Sequence, residues 1–343
     1  MKDKKIKPLF IGVIALLLVL LGVLIGVAVA KNNGSNENTE NLTEMTESTE
    51  TEDKQVVVPS TQVEPEEADG QETFVIFGVD SRTGQLGQGT RSDSIMIVHV
   101  NHDAKTVKVA SVFRDCMVHI EGRSRFEKIT HAHSYGGPKL ALSTVNENFD
   151  LNATEYVTVN FNNVAELVDD IGGIDYYITD EECGHLGDRF TSAGTYTLNG
   201  KEVVAYSRIR KASGGDFKRS ERQREMLFKI FEKAKDLPTA ERIDLVDEML
   251  GEINTSYHQD EIVELLYHLS KYEIVAMDAF PKVFYSGMVE GAWVEVPITL
   301  VDMNAAIHEF LFGTTDYTPS QKVLEYSEIL KNKVPGANND LRN

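Results

Sequence analysis

Hydrophobic positions follow two different patterns along this chain, and the pattern changes near residue 71. Residues 8–30 form a run of 23 uncharged positions rich in Leu, Val and Ile. A helix of that length rises roughly 30 Å, which matches the hydrocarbon layer of a bilayer. After residue 71, short β-branched runs bounded by turn residues replace the continuous apolar stretch. The pattern therefore predicts one membrane-spanning helix followed by a globular domain.

Predicted strands alternate with predicted helices in the globular part. The β-branched runs predict core strands at 73–81, 94–101, 106–115, 156–161 and 174–178. Helical periodicity predicts helices at 139–148, 163–170, 199–206, 216–236, 260–271 and 300–312. This alternation is typical of a layered α/β domain, and no Pro/Gly/Ser-rich break divides it.

The first 71 residues differ in composition from the domain. Four lysines precede the apolar run, so the positive-inside rule places the N-terminus in the cytoplasm and the domain outside. A cleaved signal peptide is the alternative, because Ala-Val-Ala at 28–30 resembles a cleavage site. The following acidic segment has too few apolar residues to fold, which predicts a disordered tether.

We divide the chain into a basic tail at 1–7, a transmembrane anchor at 8–30, a linker at 31–71, a catalytic domain at 72–315, and a C-terminal helix and tail at 316–343, polar from residue 335.

Overall charge and cysteine content exclude several classes of protein. The formal net charge is −20, and residues 71–343 contribute −14 of it. A nucleic-acid-binding surface neutralises phosphates with basic residues, so this balance argues against such a partner. Cys116 and Cys183 are too few for a disulfide-dense scaffold. Outside the membrane they could form one disulfide, or both could be free thiols in the core.

Two carboxylates flank a glycine-rich loop, GQLGQG at 84–89, that we expect to be flexible. Asp80 ends the first predicted strand, and Asp93 immediately precedes the second. If these strands are neighbours, both carboxylates lie at one end of the sheet. Together they could hold Mg²⁺ or Mn²⁺, with water and phosphate oxygens completing the coordination. The alternative is that each aspartate only caps a turn.

A basic segment at 201–224, with a net charge of +5, stands out in this acidic domain. Arg208 and Arg210 alternate, so in an extended backbone both point to the same side. Guanidinium groups suit phosphate geometry, which favours an anionic ligand over a merely solvated basic helix face. The candidates that share one face of the following helix are Arg219, Arg222 and Gln223.

Two other groups of residues are weaker candidates. Arg114 and Asp115 end the third predicted strand and reach the same sheet edge only if the strand order allows it. His131 and His133 have no third ligand at zinc spacing, so we interpret them as exposed imidazoles or as buried imidazoles with hydrogen-bond partners.

Taken together, these motifs resemble the extracytoplasmic domain of the LytR-CpsA-Psr family. The matching segments are GVDSR at 78–82, RSDSIMI at 91–97, SVFRD at 111–115, KITHAHSYGG at 128–137, LVDDIGGID at 167–175, LNGKEVVAYSRIR at 198–210 and GDFKRSERQ at 215–223. The resemblance covers roughly 74–315 and includes the N-terminal membrane helix. One departure is Phe113, where members often have proline.

The resemblance implies a three-layer α/β/α sandwich with a central mixed sheet, preceded by one N-terminal transmembrane helix. It also implies a membrane-anchored extracytoplasmic phosphotransferase. Such an enzyme moves a glycopolymer (teichoic acid, capsule or another wall polysaccharide) from a polyprenyl-pyrophosphate carrier to the muramic acid of peptidoglycan. The implied partners are therefore the lipid-linked glycopolymer, peptidoglycan and the membrane, without nucleic acid.

The family pattern also implies roles for individual residues. Asp80 and Asp93 would be metal ligands for Mg²⁺ or Mn²⁺. Asp93 or Asp216 would accept the proton of the attacking hydroxyl. The residues implied to surround the pyrophosphate are Arg82, Arg91, Arg114, Arg208, Arg210, Arg219, Arg222 and Gln223. Three of them, Arg114, Arg208 and Arg210, are also implied to be catalytic.

Three rival functions remain open on the sequence. A polyprenyl-pyrophosphate hydrolase would use the same site, with water as the acceptor. A regulator or attenuator of transcription would need cytoplasmic exposure, against which the predicted topology and the acidic domain argue. A non-catalytic wall- or lipid-binding protein would keep its function without the two aspartates.

Overall fold

The computed structural model describes residues 70–79, 81, 84–209, 215–238, 253–258 and 271–334. Within them the strands are β1 Gln71–Val79, β2 Ser92–Asn101, β3 Thr106–Val112, β4 Met117–Val118, β5 Glu127–Lys128, β6 Glu155–Asn160, β7 Ile174–Ile178, β8 Gly194–Leu198, β9 Asn254–Thr255, β10 Glu273–Phe280, β11 Phe284–Val289 and β12 Ala292–Pro297. The helices are α1 Thr130–Phe149, α2 Phe161–Asp170, α3 Asp180–Leu186, α4 Gly200–Ser207, α5 Gly215–Lys235, α6 Leu300–Phe312 and α7 Gln321–Lys333.

Six strands form a central mixed sheet in the order β10-β3-β2-β1-β6-β9. Strand β2 is antiparallel to both of its neighbours, whereas β1 is parallel to β6 and β3 is parallel to β10. The carboxyl ends of β1, β3, β6 and β10 therefore meet the amino end of β2 at one edge of the sheet. We call this the carboxyl edge, and it is marked by Val79, Ser92, Val112, Asn160 and Phe280.

Alternate residues of the strands build two cores, one on each face of the sheet. Phe74 and Ile76 of β1 belong to a core that contains buried residues of α2, α4 and α5. Their neighbours Val75 and Phe77 belong to a second core with residues of α1, α6 and α7. Because strand side chains alternate between faces, a sheet buried on both sides needs near-continuous apolar strands. The predicted layered α/β fold with a central mixed sheet is thus confirmed.

The two cysteines lie in different cores. Cys116 belongs to the core on the α1 side and Cys183 to the core on the α5 side, and both are free and buried. The sheet between them excludes the disulfide considered from sequence, and the alternative of two free core thiols is correct. Burial raises the pKa of Cys116 well above its ordinary value, and the charges of Glu295 and Asp115 raise it further.

Several boundaries differ from the predictions. Helix α1 begins at Thr130, before Gly136 and Gly137, which interrupt it with non-helical backbone. The predicted helix begins only at residue 139, after this Gly-Gly-Pro segment, because glycine and proline are unfavourable inside helices. The strands β10, β11 and β12 were not predicted. Strand β10 is half exposed along most of its length, so it lacks the continuous apolar pattern of β1.

Parts of the predicted organisation lie outside the described residues. These are the basic tail, the transmembrane anchor, the acidic linker, almost all of the helix predicted at 260–271, and the polar tail from residue 335. Within the described part of the chain, none of the helices has both the length and the apolar character needed to cross a bilayer.

Candidate active site

A β-bulge places Asp93 at the carboxyl edge. Gly78 pairs with Ser94, but the next residue, Val79, pairs with Ser92, so Asp93 is the extra residue of β2. A bulge bends its strand and redirects a side chain that would otherwise follow the regular alternation. Asp93 is accordingly half-buried between two buried serines.

Arg114 reaches Asp93 because β3 lies next to β2. Its Nη1 donates a hydrogen bond to Asp93 Oδ1 at 2.6 Å, and the two side chains remain 20% and 22% exposed. Arg114 Nε also lies 3.6 Å from Asp115 Oδ2. Asp115 Oδ1 in turn lies 2.7 Å from Lys128 Nζ. Positive and negative groups thus alternate along the edge. The strand order brings Asp93 and Arg114 together, whereas the sequence identified them only as separate candidates.

Phe113 lies directly before Arg114, at the position where the resemblance noted above implies proline. Its backbone N–H donates to the carbonyl oxygen of Phe280 at 3.0 Å, and its ring packs edge-on against Phe284 at 5.6 Å between centroids. Proline has no N–H to donate. Phe113 therefore ties the segment that carries Arg114 to the end of β10, without changing the charges.

The glycine-rich loop between β1 and β2 is anchored on α1 rather than free. Gly89 N donates to Ser134 O at 3.0 Å, and Gln88 Nε2 donates to Tyr135 O at 2.7 Å. Gly137, with φ +67°, lies so close that an added Cβ would stand 3.3 Å from Gln88 N. Two of the six loop residues are thus hydrogen-bonded to a helix, and the flexibility of the loop stays a prediction.

Sequence reasoning missed a cluster around Glu127, next to Lys128. Burial would raise the pKa of Glu127, but hydrogen bonds from Tyr135, His131 and Arg125 outweigh it and lower the pKa to about 2. The only feature of the sequence that pointed to this cluster was the motif at 128–137, which begins at Lys128. The cluster fixes the start of α1 beside the Asp115–Lys128 pair.

The two neighbouring histidines have protein partners. His133 is buried, and its Nδ1 lies 2.9 Å from the carbonyl oxygen of Thr90. Burial lowers the pKa of His133, which keeps the imidazole neutral. His131 Nδ1 lies 3.0 Å from Glu127 Oε2. His133 is thus a buried imidazole with hydrogen-bond partners, and His131 is a partly buried one paired with Glu127.

Helix α4 presents Arg208 at its C-terminal end. A capping box starts the helix, with Asn199 Oδ1 accepting from Glu202 N and Glu202 Oε2 accepting from Asn199 N. Gly200 allows α4 to pack directly on α2, since an added Cβ would stand 1.6 Å from Ala165 O. Arg208 follows the last turn and is exposed.

Arg222 of α5 lies in a buried network. Its Nε donates to Glu182 Oε1 at 3.0 Å, and its Nη1 donates to the carbonyl oxygen of Ile209 at 3.3 Å. Burial would raise the pKa of Glu182, but hydrogen bonds from Thr179 and Arg222 lower it below its ordinary value. Arg222 thus holds the backbone between the two predicted arginines of the preceding segment.

The remaining predicted site residues divide by position. Arg91 is exposed just before β2, whereas Arg219 and Gln223 are buried on α5. Asp216 lies in the first turn of α5. The side chain of Asp216 and the residues Asp80, Arg82 and Arg210 lie outside the described part of the chain.

The donor atoms near Asp93 suit a hard cation. Ser92 Oγ, one residue before Asp93, is buried and has no hydrogen-bond partner among the described residues. Mg²⁺ and Mn²⁺ prefer hydroxyl and carboxylate oxygens, whereas Zn²⁺ sites usually include imidazole or thiolate ligands. The described residues alone contain no group of three or more His, Cys, Asp or Glu side chains that could hold a metal.

The fold and the carboxyl edge define a mixed-sheet α/β domain with a cluster of paired charged side chains at one end of its sheet. The family model described as LytR_cpsA_psr family matches residues 33–301. This match covers more than three quarters of the 343 residues, and the chain belongs to the LytR_cpsA_psr family. The resemblance drawn from the seven motifs is thereby confirmed.

Named relatives share part of the chain. It is 34% identical over 193 residues to the polyisoprenyl-teichoic acid–peptidoglycan teichoic acid transferase TagT of Bacillus subtilis, covering 53% of this chain and 59% of the relative. It is 31% identical over 195 residues to TagU of Bacillus licheniformis, covering 56% and 62%. The structure titled "TagT bound to LIIa-WTA" superposes with a TM-score of 0.57 and 26% identity, over 72% of this chain and 92% of that one. The chain thus spans about three fifths of the length of these two curated relatives.

Proposed function

We propose that this protein is a membrane-anchored, extracytoplasmic phosphotransferase that moves a glycopolymer from a polyprenyl-pyrophosphate carrier to peptidoglycan. The observation that carries the proposal is the Arg114–Asp93 pair at the carboxyl edge, 2.6 Å between Nη1 and Oδ1. The relatives named as polyisoprenyl-teichoic acid–peptidoglycan transferases support it. Their names favour transfer over the hydrolase and regulator alternatives.

Arg114 would stabilise the charge that develops on the phosphate. Phosphoryl transfer is catalysed mainly by positioning and by electrostatic stabilisation of charged oxygens. The Arg114 guanidinium is held in place by Asp93 and Asp115, so little reorganisation is needed when a phosphate arrives. Its partial exposure leaves it accessible from solvent.

Asp93 would act at the same edge as an oxygen donor. Together with Asp80, it would hold a Mg²⁺ or Mn²⁺ ion, which neutralises phosphate charge when bound. The muramic acid hydroxyl that attacks the phosphorus would lose its proton to Asp93 or to Asp216. The polyprenyl phosphate would then leave.

The basic residues from α4 onward would form the other side of the pyrophosphate site. The exposed Arg208 and Arg91 would contact phosphate oxygens, and Arg82, Arg210, Arg219 and Gln223 complete the proposed set. Arg222 has a different role in this proposal. Its bond to Ile209 O would fix the segment that carries the phosphate-binding arginines.

A reconstituted transfer assay tests the proposal. The full-length protein in detergent receives labelled polyprenyl-pyrophosphate-linked polymer and peptidoglycan, with Mg²⁺ present. The expected product is polymer covalently bound to peptidoglycan, abolished by chelator, by Asp93→Asn and by Arg208→Ala. Arg189→Ala is the matched control, since Arg189 is an exposed arginine whose partner is Glu202 at the other end of α4. Release of free polymer with intact peptidoglycan present would instead establish the hydrolase.

A further inference from the structure

The β11–β12 hairpin exposes a pair of large apolar side chains. Trp293, the single tryptophan of the chain, is 57% exposed, and Met288 is 55% exposed. The two residues are directly opposite each other in the antiparallel register, so they lie on the same face of the hairpin. Adjacent exposed apolar side chains of this size commonly mark a binding surface.

Backbone contacts place this pair next to the Arg114–Asp93 site. Glu295 N donates to the carbonyl oxygen of Asp115 at 2.9 Å, and Glu295 forms a parallel β-bridge with Cys116. Trp293 precedes Glu295 by two residues, roughly 7 Å along the strand. The chain turns at Arg114 and Asp115, directly before the bridged Cys116, so the bridge places the hairpin strand beside the segment that carries Arg114. The distance along the strand is comparable to the length of one or two sugar rings.

The charge of the hairpin restricts what can bind there. Residues 284–297 contain two glutamates and no lysine or arginine. Glu290 is paired with Lys333 and Glu295 is buried, so repulsion of a polyanionic polymer or an anionic bilayer at the hairpin would come from the net charge of −14 on residues 71–343. A neutral ligand with apolar faces and hydroxyl groups is compatible with the exposed indole, thioether and Ser286.

We infer that the hairpin binds the amino-sugar glycan strand of the acceptor, with one sugar ring stacked on the Trp293 indole and in contact with Met288. The inference rests on the proposed function for the identity of the acceptor. A sugar hydroxyl can attack a phosphate at Arg114 only if its own strand passes along this edge. The hairpin provides a surface there that orients the rings.

Tryptophan fluorescence of the full-length protein reports directly on this surface, because Trp293 has no other tryptophan to mask it. The probes are the tetramer of β-1,4-linked N-acetylglucosamine and uncrosslinked peptidoglycan strands. We expect saturable quenching with a blue shift for both, and no change with phosphatidylglycerol vesicles. An emission shift on vesicles alone, or none with either glycan, would overturn the inference.

Variants separate binding at the hairpin from the rest of the site. Trp293→Gln should weaken glycan binding, measured by calorimetry, and raise the acceptor KM about tenfold. The donor KM and the kcat at saturating acceptor should stay unchanged. Tyr177→Gln, which replaces an aromatic residue 58% exposed on β7, is the matched control and should change neither quantity.

The outcomes distinguish this inference from the proposed function. A wild-type protein that binds the glycans but transfers no polymer would contradict the proposed function and leave the glycan surface standing. Wild-type transfer with an unaltered acceptor KM in a folded Trp293→Gln variant would contradict the glycan surface alone. Equal thermal melts of the variant and the wild type ensure that folding does not explain the result.

Discussion

Two arginine–carboxylate pairs in this protein have similar geometry and different surroundings. The Arg114–Asp93 pair, 2.6 Å apart, lies at the carboxyl edge with side chains 20% and 22% exposed. The Arg222–Glu182 pair, 3.0 Å apart, lies between α5 and α3 with side chains 6% and 10% exposed. Arg114 also interacts with Asp115, whereas Arg222 donates to a backbone carbonyl.

The comparison shows how burial separates a binding role from a positioning role. A partly exposed arginine can keep its carboxylate partners and still offer an N–H group to a phosphate, since ligand can reach it. A buried arginine that bonds to a backbone carbonyl cannot leave its partners without exposing an unpaired charge to the protein interior. In the proposed function, the same residue type therefore binds ligand in one place and holds the chain in the other.

Glu182→Gln should give the largest effect on stability. Arg222 would keep its positive charge without a charged partner, so we expect the free energy of unfolding to fall by about 3–5 kcal/mol. Denaturant unfolding of the purified protein measures it. Glu202→Gln is the matched control, since Glu202 occupies the same capping-box position in α4 but pairs with a half-exposed arginine. Equal losses in both variants would contradict the distinction.

Arg114→Ala should impair transfer and leave stability nearly unchanged. Removing one electrostatic stabiliser of a developing charge typically lowers kcat by about 10²–10³. A pair with this degree of exposure contributes roughly 1 kcal/mol or less to folding. Single-turnover transfer and thermal melts on the same preparation test both statements. A normal transfer rate would remove Arg114 from the proposed site.

The opposite edge of the sheet extends the comparison to a group whose charge depends on pH. His99 is buried beside Thr73, and burial together with the nearby charges of Lys108 and His102 lowers its pKa to about 4. The folded state thus binds fewer protons than the unfolded state between about pH 4 and 6.5. We expect the free energy of unfolding to fall by up to about 3 kcal/mol as pH decreases through this range.

His99→Gln should flatten this dependence. Part of the slope should remain, because burial also lowers the pKa values of His133 and His308. Glu127, with a pKa of about 2, begins to lose its stabilising contribution below about pH 5 and adds only a small part of the slope at the acid end of this range. Unfolding curves at pH 7 and pH 4.5 give the slope, and an unchanged slope in the variant would assign it to other groups.

Thr179→Ala should give the smallest effect. Thr179 caps α3, and its hydroxyl also donates to Glu182 Oε2 at 2.9 Å. Loss of an N-cap costs about 1 kcal/mol, and the Arg222–Glu182 pair should persist. Transfer activity at 25 °C should equal that of the wild type. A loss as large as that of Glu182→Gln would show that the cap, rather than the ion pair, holds this region.

The sequence predicted the strands of the sheet centre but not their order. Continuous apolar runs such as β1 are visible because both faces of the strand are buried. Local motifs identified Asp93 and Arg114 as separate candidate site residues. Their contact depends on β2 lying between β1 and β3, and on the bulge at Val79, which local patterns do not encode.

Long-range partners explain the remaining differences. The spacing of Arg219 and Arg222 indicated a shared helix face, but Glu182, the partner of Arg222, lies 40 residues away along the chain. The β11–β12 hairpin was missed because its strands expose residues such as Met288 and Trp293. An alternation interrupted by exposed apolar residues does not follow the usual half-buried pattern.

The neighbouring order of β1, β2 and β3 has a consequence for how the site assembles. These three strands pair in chain order, and Asp93 and Arg114 are only 21 residues apart. Contacts between nearby segments close small loops and lose little chain entropy, so they form early in folding. The hairpin contact between Asp115 and Glu295 joins segments separated by most of the domain. We therefore expect the phosphate side of the site to be organised while the chain is still folding, and the glycan side to be completed only when the C-terminal strands dock.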